Sequence, residues 1–487
     1  MKKFYITTAI PYANAKPHIG TAMDYLYADI LLRYQIAHGE DALLSVGTDE
    51  HGTKVAEKAA ANNQSPQEFV DDLQPHFEMM RQKLNLDFDH IRNVRTTEEQ
   101  HIHRVQQIWQ RLDKAELIYK ATYEGWYCIG CERFIPENEA RAMNFVCADH
   151  QKPLEKLSEE NYYLAVSKYT DQIRDFIKAS VVPEFRGREL LDLIKDGAKD
   201  VSISRPSDKL EWGVPVPGDE SQVMYVWIDA LSNYLTVIGY PDDEEYRQFW
   251  PADVEIVGKD IARFHAIIWP AMLIGLGLEL PAKLMIHGFI NVGGAKMSKS
   301  LGNVVSPLEI IDQYGADAFR YYFARHIPTF EDGDFTWEKF EAAYNGELAN
   351  DLGNLVSRVA NMIKKYFECS VGDLKISGSV SSGSSEAIDA LQLSDTLDEI
   401  WTVVQGANKL VDEQKPWQLA KGNRMDDLRD VMAELVVKLR QIGSDLAPFL
   451  PDTAAKIQEF FGGDKIPDDI PILFPKKYIH TSEPAKK

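Results

Sequence analysis

The chain has 487 residues, 45% hydrophobic and 26% charged, which fits folded globular domains and excludes a disordered or fibrous protein. Length alone suggests about three domains. A formal net charge of −22 excludes indiscriminate attraction to nucleic acid or anionic membrane, though not a local basic surface.

At the N-terminus Lys2 and Lys3 precede FYITTAI, the outline of a secretory leader, but the apolar stretch carries two threonines and stops at Pro11. It reads as a buried strand. The helix expected next covers 21–38, and ALLSVGT, 42–48, reads as a second strand ending at Asp49. Thr96 and Glu99 have the spacing of a capping box for a helix that aligns Ile102, Val105, Trp109 and Leu112 on one face. This alternation predicts a parallel sheet covered by helices, with ligands at the carboxyl ends of the strands.

The alternation breaks over 117–223 and resumes with VMYVWIDAL, DVEIVG and KLMIHGFINV. The middle therefore reads as an insertion that splits one nucleotide-binding fold into halves at 1–116 and 224–325. The longest uncharged apolar stretch, 266–278, contains Pro270 and is well short of the ~20 residues of a membrane span. No membrane and a cytoplasmic location are expected. Residues 326–340 link to a helical region, 341–487, with long helices expected at 338–366, 387–412 and 425–446. SGSVSSGSS, 377–385, reads as a flexible loop within it. The fold class is α/β: a split Rossmann-type parallel sheet with a metal-binding insertion and a C-terminal α-helical bundle.

The insertion holds Cys128-x-x-Cys131 and Cys147-x-x-His150, two pairs of soft ligands separated by fifteen residues. Two such turns suit one tetrahedral structural Zn²⁺ per chain, with no position open for water. A disulfide is the competing account, uncommon in cytoplasmic chains. Cys369 stands apart as a buried or unpaired thiol.

Two stretches point to phosphate chemistry. His18-Ile19-Gly20 falls where the first strand hands over to a helix, so Gly20 permits close backbone approach, open N–H groups of the helix attract an anion, and His18 adds a donor. Downstream, NVGGAKMSKSLGN places Lys296, Ser298, Lys299 and Ser300 after a mobile Gly293-Gly294 turn. Two ammonium groups there suit closure over a triphosphate whose charge changes as pyrophosphate leaves. A loop histidine and a solvated basic loop are the plainer readings of each stretch taken alone. A Walker-type loop is excluded, because the glycine spacing before a Gly-Lys-Ser/Thr is missing.

Together the two stretches resemble the paired HIGH and KMSKS motifs of the class I aminoacyl-tRNA synthetases. The second match is complete. In the first, Thr21 stands where the family usually has a second histidine; its hydroxyl replaces some hydrogen bonding but carries no charge. AIPYANAKPHIG, TDEHGTK at 48–54, VWIDALSNY at 226–234 and GKDIARFHAIIWPAML at 258–273 look like the methionyl members of that class, a similarity that weakens beyond about residue 460.

That resemblance implies His18, Gly20, Thr21, Lys296 and Lys299 as catalytic residues that bind ATP together with Ser298 and Ser300. It implies that Ile10, Tyr12, Trp227, Ala230, Tyr234, Ile261, Phe264 and His265 surround a methionine side chain whose ammonium group Asp49 holds. Sulfur–aromatic contacts suit such a pocket, although Trp227 and Tyr234, seven residues apart, would also suit plain core. Asn350, Asn354 and Arg358 are spaced by four and share a helix face, while Trp417 is able to stack a base. Solvated asparagines and a Trp417 packed beside Pro416 are the alternative. The matching residues of methionyl enzymes read the anticodon.

The expected partners are therefore L-methionine, ATP with Mg²⁺, and tRNA(Met), initiator tRNA included. The expected reaction forms methionyl-adenylate and then charges tRNA. Another aliphatic class I synthetase, a non-catalytic tRNA-binding relative and an adenylyl transferase that never meets tRNA are the rivals. The leucyl, isoleucyl and valyl enzymes carry a large editing domain in the insertion, for which about a hundred residues leave little room. No appended C-terminal dimerisation module is visible, so a monomer is expected.

Overall fold

Lys3–Thr8 forms the first strand, β1, and the apolar run after the second turn forms β2, Asp41–Thr48. Ile91–Arg95 (β3), Val181–Val182 (β4), Val254–Gly258 (β5) and Lys283–His287 (β6) complete one parallel sheet in the order β3-β2-β1-β5-β6-β4. Ile6 of β1 faces Leu44 on one side and Val254 on the other. The computed structural model describes residues 2–129, 133–135, 137–147, 151–297, 302–374, 376 and 386–481. The expected loop 377–385 lies outside the described residues.

The helix after β1, α1, spans Ile19–Ala37 and starts two residues earlier than the pattern predicts, because His18 supplies its cap. It is apolar on most sides and buried between sheet and bundle, so no amphipathic stripe marks it. The capping box expected at Thr96 does not form. That helix, α2, spans Glu99–Lys114 without a side-chain cap. The buried Thr96 hydroxyl instead accepts the Glu50 N–H at 2.9 Å, a tertiary demand that outweighs a local cap.

Within 117–223, Arg133–Ile135, Ile118–Cys128, Glu155–Leu164 and Val201–Ser202 form an antiparallel sheet in that order. Ser204–Pro206, Pro215–Val216 and Asp219–Met224 form a smaller one. The same segment also lends β4 to the edge of the parallel sheet. VMYVWIDAL does not enter the parallel sheet: its first residues end an antiparallel strand and Val226–Leu231 is helical.

The C-terminal region is helical, over Trp337–Tyr366 with a wide-turned middle at Tyr344–Gly353, and over Leu393–Gln414, Met425–Leu446 and Pro451–Phe461; the helix expected at 387–412 is broken, since Glu386–Asp389 forms its own turn and Leu391 takes a positive φ before Leu393. One apolar core runs from the sheet through α1 and the helix Ala316–Arg325 into this bundle. A buried ion pair crosses it. Arg320, fully buried, reaches Asp29 of α1 at 2.7 Å and donates to the carbonyls of Pro448, Phe449 and Leu84 at 2.8, 2.7 and 3.2 Å. Asp29 also accepts from Arg33 and from the Asp87 N–H, so both charges are fully bonded, the condition under which a buried pair is tolerated. Among the described residues no helix is long and apolar enough to cross a membrane.

Candidate active site

β1 and β5 run side by side, but the chain leaves their carboxyl ends in different directions, and a cavity of about 600 Å³ opens there. His18, Gly20, Thr21 and Lys296 line it, as do Ile10, Tyr12 and Asp49. Trp227, Ala230, Tyr234, Ile261 and His265 complete that wall. Phe264 does not line the cavity; its ring stacks on Trp227 with centroids 3.8 Å apart and planes 9° from parallel. Ser298, Lys299 and Ser300 lie outside the described residues.

His18 caps α1 by accepting the Gly20 N–H on Nδ1 at 3.0 Å. A neutral ring then carries its proton on Nε2, the donor form an anion requires. Glycine at 20 is obligatory for this geometry, since a Cβ would stand 2.8 Å from the His18 ring. Two of the N–H groups at the helix start are already used: Gly20 gives its N–H to His18 and Ile19 gives its own to the Val305 carbonyl at 3.2 Å. An anion there meets the helix dipole and the side chains.

The turn before Lys296 is tighter than a mobile loop. Val292 pairs with Ala295, Gly293 and Gly294 both have positive φ as a two-residue hairpin demands, and the Gly294 N–H is held by Asp334 at 2.7 Å. Lys296 therefore sits on a strand. Its ammonium group lies 5.0 Å from the centre of the Phe289 ring.

The other end of the cavity is built for an apolar guest. His265 Nδ1 donates to the Ile261 carbonyl at 3.1 Å, so its Nε2 accepts from the Tyr234 hydroxyl at 2.7 Å. Burial depresses its pKa to about 4, which keeps the ring neutral. The Tyr12 and Asp49 backbones pair where β1 and β2 end, and the Ala13 N–H donates to the Asp49 carbonyl at 2.7 Å. The largely buried Asp49 carboxylate thus shares the cavity lining with the aromatic residues.

Sequence reasoning missed Asp24, Lys54, Asp260 and His287, which also line the cavity. His287 Nδ1 donates to the Gly288 carbonyl at 2.8 Å while Nε2 meets Asp24 at 2.7 Å, so both ring nitrogens face oxygen. Burial lowers its pKa, yet Asp24 outweighs burial and the net shift is upward. The one available signal was position: Asp24 lies one turn past Gly20 on α1, and His287 ends a strand.

In the bundle Asn350 and Asn354 are exposed, while Arg358 is half-buried, bonded to Asp412 at 2.8 Å and set 5.8 Å from the Trp417 ring centre. Trp417 is 39% exposed, which excludes a fully packed core position. Cys128 and Cys147 are buried in one small cluster with Ile135, Ala140 and Leu154. Cys131 and His150 lie outside the described residues, and among the described ones no group of three metal-ligating side chains converges.

The family model "tRNA synthetases class I (M)" matches residues 4–155 and 140–360. The methionine–tRNA ligase of Clostridium acetobutylicum is 42% identical over 94% of this chain and 73% of its own length; that of Thermotoga maritima is 39% identical over 93% and 74%. This chain belongs to the methionyl class I tRNA synthetases. Within that family, the Mycobacterium tuberculosis methionyl-tRNA synthetase in complex with methionyl-adenylate superposes with a TM-score of 0.88 at 34% identity, covering 98% of this chain and all of that one. The free-state form of the same enzyme gives 0.82 at 30% identity, with 98% of each chain covered.

Behind Tyr234, Glu255 of β5 is wholly buried; one oxygen accepts from Trp269 Nε1 at 2.9 Å and the other has no hydrogen-bond partner. Burial raises its pKa from 4.5 to about 8, against a smaller opposing effect of Trp269. Between those values the folded protein holds a proton that the unfolded chain has lost, so this group's contribution to stability falls as pH rises from about 4.5 to about 8. Glu255→Gln keeps the acceptor for Trp269 and removes the titration. In thermal melts the variant should gain on the wild type steadily from about pH 5 to about pH 8; a constant difference would contradict a protonated Glu255.

Proposed function

We propose that this chain activates L-methionine with ATP to methionyl-adenylate and transfers the methionyl group to tRNA(Met). The observation that carries this reading is the meeting, in one cavity, of a phosphate-suited end (His18, Gly20, Thr21, Lys296) and an aromatic pocket edged by Asp49. The methionine carboxylate attacks the α-phosphorus of ATP and pyrophosphate leaves. His18 and Lys296 stabilise charge on the phosphates, joined by Ser298, Lys299 and Ser300 of the same sequence motif. Mg²⁺ enters as part of the ATP substrate. Positioning and charge stabilisation do the catalysis, with no covalent intermediate on the protein. In the second step the terminal adenosine 2′-hydroxyl of tRNA takes the methionyl group, as the class I resemblance implies.

Residues 1–116 and 224–325 are assigned to the catalytic halves, 117–223 to the insertion, 326–340 to a linker against the tRNA stem and 341–487 to the anticodon-binding domain. Asn350, Asn354, Arg358 and Trp417 contact the anticodon. Cys128, Cys131, Cys147 and His150 hold one structural Zn²⁺; the buried pair Cys128 and Cys147 fits a soft, water-excluding ion. The protein acts as a cytoplasmic monomer.

Two variants separate the two ends of the molecule. Lys299→Ala should slow adenylate formation by roughly 10²–10³-fold, with or without tRNA, as expected for one lost charge-stabilising group. Trp417→Ala should weaken tRNA charging by roughly 10–100-fold while ATP–pyrophosphate exchange and melting temperature stay near wild type. Normal charging by the Trp417 variant, or a defect that merely follows unfolding, would remove that residue from tRNA recognition.

Metal analysis of freshly purified protein should find about one zinc per chain. Cys147→Ser should lower the zinc content and destabilise the insertion. Active, folded protein without zinc would overturn the assignment.

A further inference from the structure

The carboxylate of Asp229 is 1% exposed and sits between two imidazoles from distant parts of the chain. His51 Nδ1 donates to one oxygen at 2.7 Å and His101 Nε2 to the other at 2.8 Å. His101 meets the Thr236 hydroxyl through Nδ1 at 2.7 Å, which anchors the second ring in turn. Burial alone would push the Asp229 pKa up, but His51 and His101 hold it down at about 2.

The three residues join elements that carry separate parts of the cavity lining. Asp229 lies on the short helix Val226–Leu231, whose Trp227 and Ala230 face the cavity. His51 is two residues after Asp49, and His101 belongs to α2. On its other flank the Asp49 segment is held through Glu50, which takes a two-pronged contact from Arg95 at 2.9 and 3.0 Å and whose carbonyl accepts from Trp212 Nε1 at 2.6 Å. Asp49 therefore sits on a loop braced from one side to β3 and from the other to the helix bearing Trp227.

From this arrangement we infer that Asp229 is a positioning residue for the amino-acid substrate: through His51 it fixes the distance between the Asp49 carboxylate and the Trp227–Ala230 wall. The inference rests on the reading of this cavity as the methionine site. A carboxylate is suited to the task because it accepts at both oxygens and needs no donor of its own. Removing it leaves two buried N–H groups unpaired and lets the Asp49 loop drift from the wall.

The test is steady-state ATP–pyrophosphate exchange, with the Michaelis constants for methionine and ATP measured separately on the full chain. Asp229→Ala and His51→Leu should each raise KM for methionine by roughly 10–100-fold, as small misplacements of a binding group do, with KM for ATP changed less than about threefold. His51→Asn, whose amide N–H stands near the position of Nδ1, should stay close to wild type. Unchanged KM for methionine in a folded His51→Leu protein, or equal rises for methionine and ATP, would overturn the inference. If Asp229→Ala does not fold, the His51→Leu and His51→Asn pair decides it alone. Failure of the underlying reading looks different: wild-type exchange would not depend on methionine, and Asp49→Asn would leave it unaffected.

Discussion

Everything at the site depends on one pairing constraint: β1 is hydrogen-bonded in parallel to β2 on one side and to β5 on the other. Parallel neighbours place their carboxyl ends on the same edge, and the central strand is where the connections part. The segment leaving β1 is thus forced across that edge, between Asp49 at the end of β2 and Gly258–Ile261 beyond β5. Residues more than two hundred positions apart meet there because the sheet leaves them no other place. The long segment 117–223 lends β4 to the far edge of the sheet and Trp212 to the loop that carries Asp49.

A second constraint links that edge to the bundle. α1 is capped by His18, in the cavity, and is gripped just past its middle by Arg320 at Asp29. Since Arg320 also bonds the carbonyls of Pro448 and Phe449, it ties the bundle to the helix whose start lies in the cavity. An adjoining contact repeats the connection, with Asp317 accepting from both the backbone and the hydroxyl of Thr453 at 2.6 Å. Removing one member of the Arg320–Asp29 pair would strand a buried charge, a far larger penalty than loss of a surface ion pair.

How much of this was legible in the sequence follows from the range of each interaction. β1, β2 and the C-terminal helices declare themselves by local hydrophobic pattern, and the two phosphate-suited stretches by composition in a short window. Thr96 misled because its hydroxyl has two eligible partners, a helix end and the Glu50 N–H, and only the folded chain chooses between them. Two of the N–H groups at the start of α1 are used by His18 and Val305, the second a contact no window of sequence shows. Asp24, His287 and Asp229 are single titratable residues whose partners lie far away in the chain. Their significance is pairwise and tertiary, and so invisible until the two halves of the sheet are put together.

The central claim is that one cavity couples an ATP-binding end to a pocket shaped for methionine. The most direct measurement is amino-acid-dependent exchange of pyrophosphate into ATP, run in parallel with each of the twenty amino acids. Methionine alone should support strong exchange, because an unbranched thioether suits a pocket lined by Trp227 and Tyr234 beside a neutral His265. Stronger exchange with leucine or isoleucine, or none with any amino acid, would contradict the account.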